Sequence, residues 1–421
     1  MVVSGVVAVM LAAMVQGGYY PRIYLPAAII LLIAILLKGK HKQRKDNLLA
    51  VMWILLILTY FFSMIYYGCE LCGWYQVGYI ISVGICWLYA TGLSEREKQK
   101  MYFAFLKIGI SECLVGMAAY LGLPLRGIVA NQRFMGTFQY ANATALFLAM
   151  LLILSIGIET EWKEAEKLSG IRILLTVFLQ LTFSVGGLLC FALGIIICNR
   201  KKKDTLLWWS SEFVVSGLFA GALYMAAFFR GGSVWGMGMV CCVMVFICLI
   251  CVSRVHDILG VLSTKRQGIL ATYLIFLTEL AGVVITVGQR SMATAMERIL
   301  QMLDGGKILW KNMLFGIKPG DVLNELQKLG VSYKVTRIHN SYLQIGIEAG
   351  IFAVVLVIAL LFVAGRKIYC GQNIPLWKKA VFSMIMIHFA VDVTYYFWAV
   401  TAMAIICLSE TEMKRCKKNR K

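Results

Sequence analysis

Charge is what this chain has least of. Only 15% of its 421 residues are Asp, Glu, Lys or Arg, against 60% hydrophobic residues and a mean hydropathy of +0.79. Soluble domains average about 45–50% apolar residues, so a soluble globular protein of this length is excluded. Proline is scarce, at five, and linker-like stretches are few, so 1–421 reads as a single membrane domain. Repeats of fixed period are absent. So is the apolar/polar alternation of barrel strands, which excludes a β-barrel. Cys69 and Cys72 form a lone C-x-x-C with no second pair to complete a zinc site; a local disulfide or no role is expected. No His, Cys and carboxylate cluster has metal-ligand spacing, so neither metal nor cofactor is expected. Acidic residues number 21 against 41 Lys and Arg, a net charge of +20. In a soluble protein that would point to nucleic acid. Here the bases fall in short clusters between apolar runs, which is a membrane-topology signal, and no nucleic-acid partner is expected.

What is present is a succession of apolar stretches, many near 20 residues, each long enough to cross a bilayer as a helix. The fold class expected is all-α: a polytopic integral membrane protein with about 12–14 transmembrane helices. In chain order the spans read Val2–Val15, Tyr19–Leu37, Leu48–Tyr67, Trp74–Leu93, Met101–Leu121, Tyr140–Ile158, Ile173–Ser184, Leu188–Cys198, Leu206–Phe229, Val234–Val252, Ile269–Val287, Tyr342–Ala364, Val381–Val391 and Thr394–Leu408. Basic clusters at 38–45, 94–100, 159–172 and 200–203, at Arg254, Lys265 and Arg266, at Arg366 and Lys367, and in the tail ending at Lys421 alternate with these spans. They place both termini in the cytoplasm. The seventh and eighth spans form a hairpin expected to turn at Gly186-Gly187. Ionisable residues within spans, Lys107, Glu112, Glu279, Glu348, His388 and Asp392, are read mainly as hydrogen-bonding groups between helices.

The long polar segment 289–340 is an extracytoplasmic helical loop inserted between spans. Met292, Met296, Ile299 and Leu303 recur at helical spacing, and Gly305-Gly306 is expected to end that helix. Pro319-Gly320 turns the chain, Asp321 caps a short helix, and Gly330 stops it. The loop carries Arg290, Arg298, Lys307, Lys311, Lys318, Lys328, Lys334 and Arg337. Bases on the outer face run against the usual bias and point to an anionic ligand. At its end His339 enters the next span, with Asn340 or Ser341 as cap. A helix N-terminus disfavours a cation and favours a phosphate, so a neutral imidazole able to take a proton is expected beside an anion site. Taken alone, such a histidine fits interfacial packing at least as well. A second outer segment, 126–143, supplies Arg126 and Arg133, a glycine at Gly136 for close backbone approach, and Asn142 at the membrane edge.

Arg133-x-x-Gly136-Thr137-Phe138-x-x-x-Asn142 resembles the R-x-x-G-T-F-x-x-x-N segment of the O-antigen ligase and Wzy-type polymerase superfamily. His339-Asn340-Ser341-Tyr342-Leu343 followed by Glu348-x-Gly350 is similar to that family's H-N-x-Y-L…E-x-G motif. Arg298, an amphipathic helix and then Gly316 match its loop pattern between the two. The resemblance spans nearly the whole chain. It implies a GT-C-like membrane glycosyltransferase, metal-independent and inverting. The donor implied is an oligosaccharide on undecaprenyl diphosphate, the acceptor a saccharide hydroxyl, and the partners flippase and chain-length regulator proteins in cell-surface polysaccharide assembly. On that resemblance His339 acts as base, and Arg133 and Arg298 hold the diphosphate. Arg126, Gly136, Thr137, Asn142, Arg230, Arg290, Arg337, Asn340, Tyr342 and Glu348 line the substrate site. The chain departs from the family at Val185, where an S-R-G arginine is often found. Either Arg230, Arg126 or Arg133 replaces it, or the chain is a degenerate, non-catalytic member. A polytopic transporter or flippase also fits many spans with scattered charges, although repeated halves are not evident.

Overall fold

The computed structural model of the chain describes residues 1–38, 47–131, 133–162, 168–198, 212–213, 215–217, 219–224, 274, 293–371 and 373–409. The span expected at 234–252 and most of those at 206–229 and 269–287 lie outside the described residues. So do the basic clusters at 39–45 and 199–203, Arg254, Lys265, Arg266, Glu279 and the tail.

Among the described residues the chain is almost wholly helical. Six helices are long and apolar enough to cross a membrane. They are α2 (Pro21–Lys38), α3 (Asn47–Tyr66), α4 (Leu71–Thr91), α5 (Glu95–Tyr120), α6 (Ala141–Trp162) and α12 (Ile351–Cys370). Shorter apolar helices complete the bundle: α1 (Val2–Met14), α7 (Ser169–Leu181), α8 (Val185–Cys198), α13 (Leu376–Val391) and α14 (Trp398–Leu408). The helix α9 (residues 293–311), α10 (Val322–Lys328) and α11 (Ser341–Ala349) build the polar insertion and its return. One short hairpin, β1 (Val129–Ala130) with β2 (Arg133–Phe134), pairs Val129 with Phe134.

Burial decides which helix is central. In α6, 94% of the apolar window is buried, against 17% in α12 and 22% in α3. Helices α5, α7, α8, α13 and α14 surround α6. The outer helices turn Ile29, Leu37, Leu55, Phe62, Phe352 and Phe362 outward, as apolar side chains face lipid in a membrane bundle. Small residues let the central helices close up: a Cβ on Gly187 would run into that of Ala145.

Four parts of the chain differ from the sequence-based expectation: the start of α5, the α7–α8 hairpin, α9 and the span that follows the insertion. Helix α5 begins at Glu95, not Met101, because Ser94 and Glu97 form a capping box in which each side chain takes the other's backbone N–H. Glu97 also pairs with Lys38 at 2.9 Å. The expected loop 94–100 is therefore mostly first turn. Likewise Arg172, expected in a loop, is a buried member of α7 paired to Glu212 at 2.9 Å. The α7–α8 turn falls at 182–184, and Gly186 and Gly187 lie inside α8. Gly305 and Gly306 do not end α9. A Cβ on Gly305 would press on Leu343 at 2.9 Å, so this glycine lets α9 lie close against α11.

The fourth difference bears most on the site. The expected span 342–364 is two helices, α11 and α12, broken at Gly350 with φ 82° and ψ 177°. The segment after α9 crosses at the break: Ile351 N donates to Met313 O at 2.7 Å, and Ile317 N to Ile347 O at 2.7 Å. A side chain on Gly350 would strike the Leu314 carbonyl. The region it occupies is essentially glycine-only. Gly350→Ala is therefore expected to destabilise the protein by about 1–3 kcal/mol or more from backbone strain alone. Gly306→Ala, in a helix interior with open space around it, should stabilise by about 0.5–1 kcal/mol. Thermal unfolding of the two purified variants checks both; equal shifts of the same sign would refute the assignment.

Candidate functional site

The site begins with the end of a helix. The last carbonyls of α13 have no intrahelical partner and must find donors elsewhere. Asn340 Nδ2 donates to Ala390 O at 2.8 Å, Arg298 Nη1 to Val391 O at 2.9 Å, and Ser341 Oγ to Asp392 O at 2.6 Å. These three side chains come from α9 and from the entry of α11. Asn340 also caps α11, accepting Leu343 N at 2.9 Å. Of the two residues expected to cap, Asn340 does so, and Ser341 is spent on α13.

Asp392 follows directly, between α13 and α14, and is 1% exposed. Its Oδ1 accepts Tyr140 Oη at 2.8 Å and Val393 N at 2.7 Å. Its Oδ2 accepts Asn142 Nδ2 at 2.6 Å and Arg298 Nη2 at 3.0 Å. His339 Nδ1 lies 3.6 Å from Oδ1 and 3.3 Å from Tyr140 Oη. Burial pushes the Asp392 carboxyl up, but the adjacent His339 ring and the Arg298 charge outweigh that and hold it well below the usual carboxylate range. With the carboxylate and the Tyr140 hydroxyl on the Nδ1 side, the favoured tautomer carries its proton on Nδ1. The Nε2 lone pair is left to accept a proton. About a quarter of the His339 side chain, 24%, is exposed. Gln301 Oε1 accepts His339 N at 3.3 Å, one turn of α9 from Arg298. Arg298 Nε is buried and has no hydrogen-bond partner among the described residues.

Other expected residues support the cluster from behind. Arg133 does not reach Asp392. Its Nε donates to Thr182 O at 2.8 Å and its Nη2 to Phe183 O at 3.4 Å, closing the end of α7. The turn so fixed presents Ser184, which donates to Asn142 Oδ1 at 2.8 Å. Thr137 is consumed internally: its N–H donates to Glu112 Oε1 at 2.6 Å and its hydroxyl to Ala13 O at 2.6 Å. Gly136, at φ 63°, has no room for a Cβ because the Glu112 carboxylate and Thr144 fill that space. Glu348 accepts from Gln344 at 2.8 Å, Tyr395 at 3.0 Å and Tyr60 at 3.1 Å, tying α11 to α3 and the α14 entry. Tyr342 donates to Met386 O at 3.0 Å. Arg126 is exposed before β1 and makes none of the cluster's hydrogen bonds. Arg230 and Arg290 lie outside the described residues.

Sequence reasoning named His339, Arg298, Asn142 and Asn340 but not the group they converge on. Asp392 was noted only among the charges within spans. Tyr140 and Gln301 went unnamed as site residues, although Tyr140 lies inside the quoted segment 126–143 and Gln301 shares a helix face with Arg298. Asp321 begins α10 without a side-chain cap bond; it accepts Asn324 instead. Cys69 and Cys72 are free thiols. Among the described residues no group of three His, Cys, Asp or Glu is placed to hold a metal ion.

A cleft of about 1320 Å³ runs between α3, α4, α12, α13 and α14. Lys38, Ser94 and Lys367 line one end, and Ser341, Tyr342 and Tyr395 the other. Its walls between those ends are almost entirely apolar. It therefore reaches Ser341, which holds Asp392. No protein-family model matches the chain, and neither does any curated protein.

Asp392→Ala leaves Arg298 without its carboxylate, and loss of one partner of such a buried pair costs about 3–5 kcal/mol. For a carboxyl held low in the folded state, the stabilisation is complete above the unfolded value, about pH 4. It fades as pH falls below that toward the folded value. The variant should therefore melt well below the unaltered protein at pH 7, with a smaller gap at pH 3. A gap of equal size at both pH values would show that the carboxylate's charge contributes nothing.

Proposed function

We propose that the chain is a membrane glycosyltransferase of the O-antigen ligase and Wzy-type polymerase kind, moving a glycan from undecaprenyl diphosphate to a saccharide hydroxyl. The observation that carries this reading is the convergence on Asp392. Asn142, Arg298 and His339 come from three stretches far apart in sequence, each resembling the family on its own segment, and all three meet one buried carboxylate. The cleft supports the same reading. It is long and apolar as a polyprenyl chain requires, and it leads to the entry of α11.

In this orientation the end of the bundle carrying Lys38, the α4–α5 turn and Lys367 faces the cytoplasm, and the Asp392 cluster faces outward. Fourteen or so spans with an outer loop at 289–340 complete the topology. The acceptor hydroxyl approaches His339, whose Nε2 takes its proton as the oxygen attacks the anomeric carbon. The bond from that carbon to the diphosphate oxygen breaks, and the diphosphate leaves with the electron pair. The new glycosidic bond forms on the opposite face, so the configuration inverts. Asp392 holds the imidazole's Nδ1–H and stabilises the imidazolium that forms, and Tyr140 and Asn142 hold Asp392. Arg298, with one N–H unspent, stabilises charge developing on the leaving diphosphate. Arg133 acts as a positioning residue through Thr182, Phe183, Ser184 and Asn142. Flippase and chain-length regulator proteins are the partners this activity calls for.

Cells lacking the protein should accumulate single repeat units on the lipid carrier, exposed on the outer face. His339→Gln at normal protein level should do the same, with transfer lowered about 10²–10⁴-fold. Mass spectrometry of extracted lipid-linked glycans reads both. Unchanged glycans in the His339→Gln strain would remove the catalytic role, and repeat units trapped on the cytoplasmic face would favour a flippase.

A further inference from the structure

Arg337 is two residues from His339 yet takes no part in the Asp392 cluster. Its guanidinium carbon lies 3.4 Å from the ring centroid of Tyr396 and 4.4 Å from that of Tyr19. The cation is thus held by two aromatic faces. Its Nη1 is buried and has no hydrogen-bond partner among the described residues. Among the described residues no carboxylate comes within ion-pair range of it. A buried cationic donor left without an acceptor is costly, and the described residues supply none.

This donor lines a cavity of about 260 Å³ at the junction of α1–α2, the start of α4 and the 317–322 turn. Tyr19, Tyr24, Tyr75 and Tyr396 make much of its wall. Tyr20 and Tyr75, 41% and 40% exposed, stand at its margin. Two other charged groups reach it, and both are already engaged. Glu348 accepts from Gln344, Tyr60 and Tyr395. Lys318 pairs with Glu70 at 2.8 Å. Of the charged groups lining it, the Arg337 guanidinium is the one left unspent among the described residues. The volume lies just below the about 300–1,000 Å³ of pockets for drug-sized ligands, so it suits one ring and not a chain of them. Flat aromatic walls suit the C–H faces of a sugar. A guanidinium fork suits a carboxylate better than any neutral acceptor.

We infer that this cavity binds one acidic sugar ring, a hexuronate, with its carboxylate on Arg337 and its ring against the tyrosines. Its place in the reaction rests on the transferase reading. Arg337 and His339 are at most about 7 Å apart along the chain, so the acidic sugar belongs to the acceptor glycan and brings a neighbouring hydroxyl to His339.

The test is calorimetric titration of the purified full chain in nanodiscs with glucuronate, glucose and glycerol 3-phosphate. Glucuronate should bind at least tenfold more tightly than either of the others, and Arg337→Gln should weaken it at least tenfold. Equal binding of glucose would overturn the acidic preference. Glycerol 3-phosphate binding as tightly as glucuronate would mark a lipid-headgroup site instead. An unchanged Arg337→Gln titration would remove the residue from the site. The three-ligand comparison on the unaltered chain needs no variant to fold. Binding with no lipid-linked glycan accumulating in the deletion strain would leave the cavity assignment standing and remove the transferase. Accumulation without binding would do the reverse.

Discussion

A carboxylate that is 1% exposed has to be surrounded by donors, and Asp392 organises one end of this molecule by that requirement. Four hydrogen-bond donors and the His339 ring gather on its two oxygens. They come from the segment before α6, from α9, from the entry of α11 and from the backbone of Val393. Apolar packing brings these elements near one another, as where Ile308 of α9 meets Ile338 and Ile347. The cost of leaving that charge, and the carbonyls just before it, unanswered then fixes which polar groups turn toward Asp392. The imidazole is consequently fixed by groups that also hold the fold.

The same logic recurs wherever a helix ends inside the bundle. Arg133 closes α7, as Asn340, Arg298 and Ser341 close α13. In a membrane-embedded protein a helix end away from water has few other options. Residues that look like ligand-binding groups in the sequence therefore divide into two kinds. Thr137 and Arg133 spend their donors on the fold. Arg298 and Arg337 each keep a buried N–H unspent. The second kind is where a bound anion gains most.

The break at Gly350 links these features. By ending α11 after nine residues, it lets the 313–317 segment cross and tie α9 to the bundle. Arg298 and Gln301 are thereby carried to His339. An unbroken helix through 342–364 would have no backbone groups free for Met313 and Ile317, and the polar insertion would have lost that anchor. The apolar cleft on one side of α11 and the tyrosine-lined cavity near Arg337 both adjoin this broken helix.

Composition and hydropathy were enough to read an all-helical, membrane-embedded chain and most of its apolar helices, because burial in lipid leaves a long uninterrupted run. The basic insertion and the Asn340 cap were legible too, since caps and charge clusters are local. The helix break was not, because a glycine at 350 reads the same whether it sits in a helix or ends one. Only the crossing of Met313 and Ile317 decides between them. The start of α5 was misread for a related reason: charged residues pass for a loop until a capping box folds them into a first turn. Asp392 appeared in the sequence as one more charge within the spans. Tertiary structure alone made it the centre, because the partners of a buried carboxylate are chosen by proximity in space, and a one-dimensional pattern records no distance between a tyrosine at 140, an arginine at 298 and an aspartate at 392.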